Sequence, residues 1–541
     1  MKKNLLSISV LLCLFAFGVT SCNNDFDAKI YGQLSTDKFP ATEKDYESYL
    51  MDCYVPFSVT WGYGFNSSSW QHNFYVAEGG LYRMLDDTSD ESASWTISSW
   101  GGSWSKMSAG QFDDLKLVGR TSGSDPSDFD KVRDITRFTQ IIGTLEDADT
   151  TVLPKAKKEE FLGEARLCRG LMMYYLLHYY GPVPVIVDPA KVNDEKALAD
   201  MERPTLDQMT QYITDDLVYA CQHVAETQSE KGRYTADYAR FCLMRHYLNE
   251  GYHESGYYQK AYDLFSQFYG HYSLFTSGTN PYADQFKIAN KFNCEAIMAC
   301  SCNSNATGAA NEGNFNPTSW YVVPGDAAKY DDKGDPTPFV NQGGGWGQCF
   351  NISKYFYDTF EPGDKRAETI LTSYYSTNNG WVTSKDLGNL WNGYIINKYP
   401  IETATSFQGT DYPLARWADV LLMYAEADVR AHNTVSQSAI DCVNQVRHRA
   451  GLEDLDASKT SSVSAFLDAL LTERGHELFY EGCRKIDLIR FGQYYTRMKA
   501  SGRTPSSEYF PIPDYAVKQA QENGYTLTQY FTRDNYDGPK I

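Results

Sequence analysis

The sequence has no run of lysine or arginine, and its basic residues are outnumbered: 49 Lys and Arg against 69 Asp and Glu, a net charge of −20. A nucleic-acid binder needs a basic footprint over the phosphates, so that class is excluded. The acidic balance is compatible with solubility and with an uncharged ligand. The short signatures of common chemistries are missing too. His476 opens no HExxH motif, and no GxSxG, P-loop or dinucleotide fingerprint occurs. Gly62-Tyr63-Gly64 and the glycines at 343–347 precede no helix start bearing Lys-Ser/Thr, so neither is a phosphate loop. Cys300 and Cys302 are followed by no second Cys/His pair at metal spacing, and two residues on the same face of a strand do not bridge easily. Beyond the leader, no apolar stretch is long enough to cross a bilayer.

What is present starts at the first residues. Lys2 and Lys3 precede an apolar run, Leu5 to Phe17, and then Val19-Thr20-Ser21-Cys22. A basic start, a short apolar segment and small residues make a secretory signal rather than a membrane span. The closing cysteine makes it resemble a bacterial lipoprotein signal, with residues 1–21 removed and Cys22 lipidated. Residues 22–40 read as a tether. About 520 residues then remain, more than one compact core usually holds, and an exported location permits disulfides. Cys168, Cys242, Cys442 and Cys483 sit in helical, apolar contexts where buried free thiols are expected.

Most of the chain carries helical periodicity. Thr42 to Tyr54 reads as a helix, Val132, Ile135, Phe138, Ile141 and Ile142 fall at three- and four-residue spacing, and Phe161 to Leu177 continues the theme until Gly181-Pro182. Thr205 caps a further helix, with Asp207 in its first turn. Ala236–Leu248, Tyr258–Phe268, Ala415–Ala431, Ser436–Ala450 and Val463–Tyr480 follow. Two stretches break the pattern. Residues 56–128 are rich in Gly, Ser, Trp and Asp, and residues 277–409 combine short apolar pieces, glycine turns and many aromatics. Loops of that length are commonly functional. Phe510-Pro511-Ile512-Pro513 is necessarily extended.

Several segments together resemble the SusD/RagB family of outer-membrane lipoproteins. Glu473-Arg474-Gly475-His476-Glu477-Leu478-Phe479-Tyr480-Glu481-Gly482-Cys483-Arg484-Lys485-Ile486-Asp487-Leu488-Ile489-Arg490 is similar to that family's signature. Further matches are Gly163–Gly170 running to Tyr180-Gly181-Pro182, Arg203-Pro204-Thr205, Tyr412–Ala427, Val443–Leu452 and Pro511-Ile512-Pro513, all in the family's order. The resemblance implies a mostly α fold of tetratricopeptide-like helix pairs carrying a large, irregular, loop-rich insert. It divides the body into 41–276 and 277–541. It also implies a glycan ligand, no catalysis, a surface position on the outer membrane and a TonB-dependent (SusC-like) transporter as partner. Peptide cargo on the same scaffold and a polysaccharide-degrading enzyme are the alternatives.

The carboxylates of Glu473, Glu477 and Glu481 tempt an enzymatic reading, but Arg474 and Arg484 lie in the same segment and ion pairing within the scaffold is the simpler account. Arg416, Asp419, Glu426, Arg447 and Arg449 read the same way. A glycosidase needs two carboxylates flanking the scissile bond, and nothing in the sequence singles out such a pair. Tryptophans among small residues are better ligand candidates, because a glycine- and serine-rich setting leaves the indole face open. Trp61, Tyr63, Trp70, Trp95, Trp100 and Trp104 lie in the first such stretch. Thr88-Ser89-Asp90-Glu91 resembles the family's segment leading into its ligand loop, which favours Trp95, Trp100 and Trp104. Trp320, Tyr321 and Trp346 form a second cluster, with Asp90, Asn341 and Gln342 as polar partners for sugar hydroxyls. No cofactor is expected. Asp331-Asp332-Lys333-Gly334-Asp335 offers oxygens to a calcium ion, but it lacks EF-hand spacing, and a solvated acidic turn is the simpler account.

Overall fold

The computed structural model describes residues 39–58, 74–75, 80–93, 102–115, 129–268, 270–303, 316, 318–342, 347–404 and 408–533. The leader, Cys22 and the tether to residue 38 lie outside the described residues, as do Trp61, Tyr63, Trp70, Trp95, Trp100 and Trp346.

Helices dominate, beginning with α1 (Glu43–Leu50) and α2 (Gly102–Ala109). They continue with α3 (Val132–Glu146), α4 (Lys155–Tyr180), α5 (Leu206–His223), α6 (Ala236–Glu250) and α7 (Tyr257–Leu264). The single-turn α8 (Thr318–Val322) sits in the irregular middle. After it come α9 (Trp417–His432), α10 (Gln437–Arg449), α11 (Val463–Leu478) and α12 (Arg484–Arg490). The local signals explain where these helices start. At α5 the Thr205 hydroxyl accepts from the Gln208 amide (3.1 Å), and the Gln208 side chain accepts from the Thr205 amide (2.9 Å). That capping box satisfies two donors that a helix start otherwise leaves unpaired.

The helices pack in series. α3 lies on α4, α4 on α5, α5 on α6, α6 on α7, α7 on α9, and α9 on both α10 and α11. α4 is apolar nearly all round from Phe161 onward and, Arg166 apart, is buried along that length, as a central helix must be. Its contact with α5 depends on Gly170, where an added Cβ would stand 3.1 Å from Leu217 Cδ2 and 3.3 Å from Asp216 Cβ. Beside it, Arg169 donates from Nε and Nη2 to the two Asp216 oxygens (2.7 and 2.8 Å). The Gly163–Gly170 motif is thus a device for close helix packing.

The chain between α7 and α9 forms the insert. Strand β1 (Ala296–Cys300) opens it; a hairpin of β2 (Ser373–Ser376) and β3 (Gly380–Thr383) lies within it; β4 (Tyr412–Arg416) closes it by pairing antiparallel with β1, Cys300 opposite Tyr412. One continuous cluster of buried side chains runs from Tyr46 to Leu527, so the insert and the helices share a core. Cys168, Cys242, Cys442 and Cys483 are buried free thiols, and Cys300 and Cys302 are unbridged. Among the described residues no helix is long and apolar enough to cross a membrane.

Candidate functional site

The carboxylates of the 473–490 segment are buried and paired. Arg416, at the end of β4, donates from Nη1 to Glu295 (2.5 Å) and Glu477 (3.0 Å) and from Nε and Nη2 to Glu481 (3.0 and 2.6 Å). Arg449 bonds the other Glu295 oxygen (2.9 Å) and Glu477. Arg366 grips Asp364 with two nitrogens and reaches Glu473 (2.6 Å), whose other oxygen accepts from Arg447 (3.2 Å). Glu481 lies beyond the end of α11 rather than on its face, where it also receives Lys398 Nζ (2.5 Å). A second group joins Arg474 to Asp487 and Asp419 (2.8 Å each) and Arg490 to Glu426 (2.8 and 3.0 Å).

This arrangement is unsuited to moving protons near neutral pH. Burial alone would raise Glu477, but the guanidinium groups of Arg449, Arg416 and Arg366 outweigh it and hold the carboxyl at about 2. Asp487 is likewise held at about 2 by Arg474 and Arg490 against the upward pull of burial. His476 is pushed well below its ordinary value by burial and by the neighbouring Arg366, Arg484 and Arg447. It shares a hydrogen bond with the Thr359 hydroxyl (2.8 Å) and stacks on Phe360 at 4.0 Å. A neutral, enclosed imidazole beside fully paired carboxylates is a structural assembly.

The turn that follows α11 ties the signature to the aromatic stretches. Gly482 takes φ +76, and a Cβ there would meet Leu81 Cβ at 2.6 Å. Its amide donates to Asp86 (2.7 Å), the Tyr480 amide donates to Glu91 (3.2 Å), and Arg484 bonds both oxygens of Asp90 (2.8 and 2.9 Å). The segment 80–93 is therefore clamped along its length. From it the chain runs directly to the Trp95–Trp104 stretch. Its last described residues dock on the insert. Ser92 pairs with Ile352, the Ala93 amide donates to Asn351 Oδ1 (3.0 Å), and Ser353 donates to the Asp90 and Glu91 carbonyls (2.8 and 2.7 Å). Just before this, Cys349 and Phe350 donate to the Tyr321 carbonyl in α8 (2.6 and 3.0 Å). Ala93, residues 347–353 and α8 thus meet on one platform, from which the stretches bearing Trp95, Trp100 and Trp346 depart.

The structure distributes the sequence candidates unevenly. Trp320 is half-buried on α8. Tyr321 is fully buried, edge-on to Phe350 at 6.0 Å, so its ring belongs to the core rather than to an open face. Asp90 is 1 % exposed and taken by Arg484; it holds the root of the loop and offers no free oxygen at a surface. Asn341 and Gln342 are half-buried and bond the Ile401 and Ser319 carbonyls (3.3 and 3.5 Å). Trp104 lies in α2, its side chain outside the description, and Trp95, Trp100 and Trp346 are outside it altogether. Asp331 Oδ1 accepts from the Lys333 and Asp335 amides (2.8 and 3.0 Å), so the acidic 331–335 segment closes a turn on itself.

The sequence reading passed over Trp381, which is 52 % exposed on β3. Its signal was Asn379-Gly380 directly before it, a hairpin turn that presents the next residue on a short two-stranded ribbon. The hairpin is fixed to the strand of chain after α8: the Ser376 hydroxyl donates to Asp326 (2.6 Å), and the Ala328 amide donates to the Tyr375 carbonyl (2.8 Å). Tyr330, 55 % exposed, lies on that same stretch. A separate open groove of about 1150 Å³, lined by Phe265, Tyr272, Trp417 and Tyr424, lies on the helical side.

With this geometry in place, similarity to other proteins becomes informative. A family model described as the SusD family matches residues 225–532, and one described as starch-binding associating with outer membrane matches residues 134–248. A SusD-like protein of Bacteroides ovatus is 27 % identical over 385 residues, covering 66 % of this chain and 64 % of that protein. The chain thus spans just under two thirds of the length of that curated relative. The solved structure of a laminarin binding SusD-like protein superposes with a TM-score of 0.67 at 22 % identity, covering 92 % of this chain and all of that one. Surface glycan-binding protein A from Bacteroides thetaiotaomicron, in complex with laminarihexaose, gives a TM-score of 0.65 at 16 % identity, covering 92 % of this chain and 100 % of that one. At these identities the superpositions establish the fold.

Proposed function

Since the chain belongs to the SusD family, we propose that it is a non-catalytic glycan-binding lipoprotein of the outer membrane, anchored through Cys22. In this reading it captures oligo- or polysaccharide at the cell surface and passes it to a TonB-dependent, SusC-like transporter. The observation that carries the proposal is the shared platform: the paired charges of the 480–484 turn fix the segment from which the first tryptophan stretch departs, and 347–353 joins that segment to α8. Rigid roots under aromatic loops are what sugar recognition needs, since stacking requires a held indole face and a few hydrogen bonds set orientation. Trp95, Trp100, Trp104, Trp320 and Trp346 are the proposed ring contacts, with Asn341 and Gln342 at their margin and Trp381 added from the hairpin. Asp90 and Tyr321 act beneath them, as support. The names of relatives that bind starch and laminarin favour a glucan as the first ligand class to try.

The test is affinity electrophoresis of the mature protein through gels containing a panel of polysaccharides, starch and laminarin among them. Retardation in at least one gel, weakened by Trp320→Ala and Trp346→Ala, is expected, with no reducing ends released over hours. If no gel retards the protein and the tryptophan variants leave nutrient uptake unchanged, the glycan reading is overturned and peptide cargo is the class to test next.

A further inference from the structure

Where α5 begins and α6 ends, three groups with metal-ligand chemistry meet. Asp207 lies in the first turn of α5. His253 and Glu254 lie in the turn after α6, whose shape is set by their own amides, both donating to the Glu250 carbonyl (3.2 and 2.9 Å). His253 Nδ1 stands 3.4 Å from Asp207 Oδ1 and 3.8 Å from Glu254 Oε1. The three ligand atoms all lie within 4.8 Å of one another, the one such grouping of His, Cys, Asp and Glu among the described residues. Ligands bound tetrahedrally to zinc at about 2.0–2.1 Å sit roughly 3.4 Å apart. The Asp207–His253 pair already has that spacing, and the His253–Glu254 pair, at 3.8 Å, is only slightly wider.

The other ring nitrogen points to the same chemistry. Nε2 lies 2.9 Å from Glu250 Oε2, and that carboxylate is 3 % exposed. An N–H donated there leaves the Nδ1 lone pair facing the carboxylates of Asp207 and Glu254. Such a lone pair is met by a proton or by a cation. Passing the second ring N–H to a carboxylate is the arrangement found behind metal-bound histidine, where it fixes the ring and strengthens the ligand. We infer that Asp207, His253 and Glu254 form a binding site for a divalent transition ion of the zinc type, with Glu250 orienting the imidazole and a fourth position open to water. Two carboxylates balance the ion's charge, and the ion would brace the start of α5 against the end of α6, on the helical scaffold.

The test uses the full mature protein stripped with a chelator and titrated with zinc by calorimetry, and with cobalt(II) followed by its visible absorption. One equivalent bound at micromolar concentration or below is expected, with a cobalt spectrum of tetrahedral intensity and no thiolate charge-transfer band. Asp207 is 81 % exposed in its side chain, so Asp207→Asn leaves the fold intact; it and His253→Gln are expected to weaken binding at least 100-fold. Glu250→Gln is expected to weaken it about 10- to 100-fold, the usual cost of losing an orienting partner. Absence of saturable one-equivalent uptake overturns the inference. So does uptake that Asp207→Asn and His253→Gln leave unchanged.

Discussion

The 473–490 segment and the Trp95–Trp104 stretch are both rich in groups that attract functional interpretation, yet they do opposite work. In the first, nearly every charged side chain is buried and met by an opposite charge, as with Glu477 among Arg366, Arg416 and Arg449. In the second, the described root is held rigidly while the tryptophans lie further along on short, small-residue chain. A residue's chemistry does not reveal its role until its partners are known. The charged groups make the frame, and the frame holds the root of the segment that leads to the tryptophans.

The sharpest way to break this division is to remove a central charge. Glu477→Ala leaves three guanidinium groups short of a partner in the interior, and removal of one member of a buried pair costs about 3–5 kcal/mol. Denaturant unfolding is expected to show a loss of that size, or failure to fold. Glu477→Gln is expected to lose less, because it keeps the volume and one acceptor.

Asp90→Ala comes next and bears on both regions. It strips Arg484 of a two-pronged partner, so roughly 3 kcal/mol of stability is expected to disappear. Glycan affinity is expected to fall as well, since the loop root loses its clamp. Retained affinity at a temperature where the variant is fully folded would separate frame from site and contradict the shared platform.

Changing pH tests the charge frame without mutation. Glu477 and Asp487, held at about 2 against ordinary values of 4.5 and 3.8, stabilise the fold fully above those ordinary values, and the contribution is lost as pH falls through about 2. Asp86 has the opposite sign. Burial raises it from 3.8 to about 7 despite bonds from the Gly482 and Arg484 amides. Its contribution is fully present below about 4 and lost as pH rises through about 7. The melting temperature is therefore expected to peak in mildly acidic buffer and to decline on both sides, as a pH series of thermal melts would record.

Smaller effects are expected at the periphery. Gly170→Val forces a branched side chain against Leu217 and Asp216, an overpacking that typically costs about 1–3 kcal/mol. Trp381→Ala, on an exposed hairpin, is expected to change stability by less than about 0.5 kcal/mol. It is expected to weaken glycan binding several-fold, as loss of an aromatic contact worth roughly 0.5–1.5 kcal/mol implies. Unaltered binding would confine recognition to the platform.

Much of this molecule was legible in its sequence. Apolar spacing marked α3, α4 and α9–α11 to within a few residues, because amphipathic periodicity and caps such as Thr205 act locally. α12 escaped notice because it spans only seven residues, too few for a helical period to show, and the Asp90 partner of Arg484 lies far along the chain. The partners themselves were invisible for the same reason. Arg366, Glu295 and Asp364 carry no local mark of their pairing, and Asp90 resembled a ligand-facing carboxylate until Arg484, 394 positions away, was seen to hold it.

By itself, then, the sequence determined the helical class, the punctuation of its helices and the family to which the chain belongs. These depend on composition and short-range order, which the chain carries along its length. Only the tertiary structure decided which charges are frame, which aromatics are core, and that Asp207 meets His253. Those outcomes depend on contacts between distant segments, and whether a buried charge is tolerable is settled by the partner that folding brings to it.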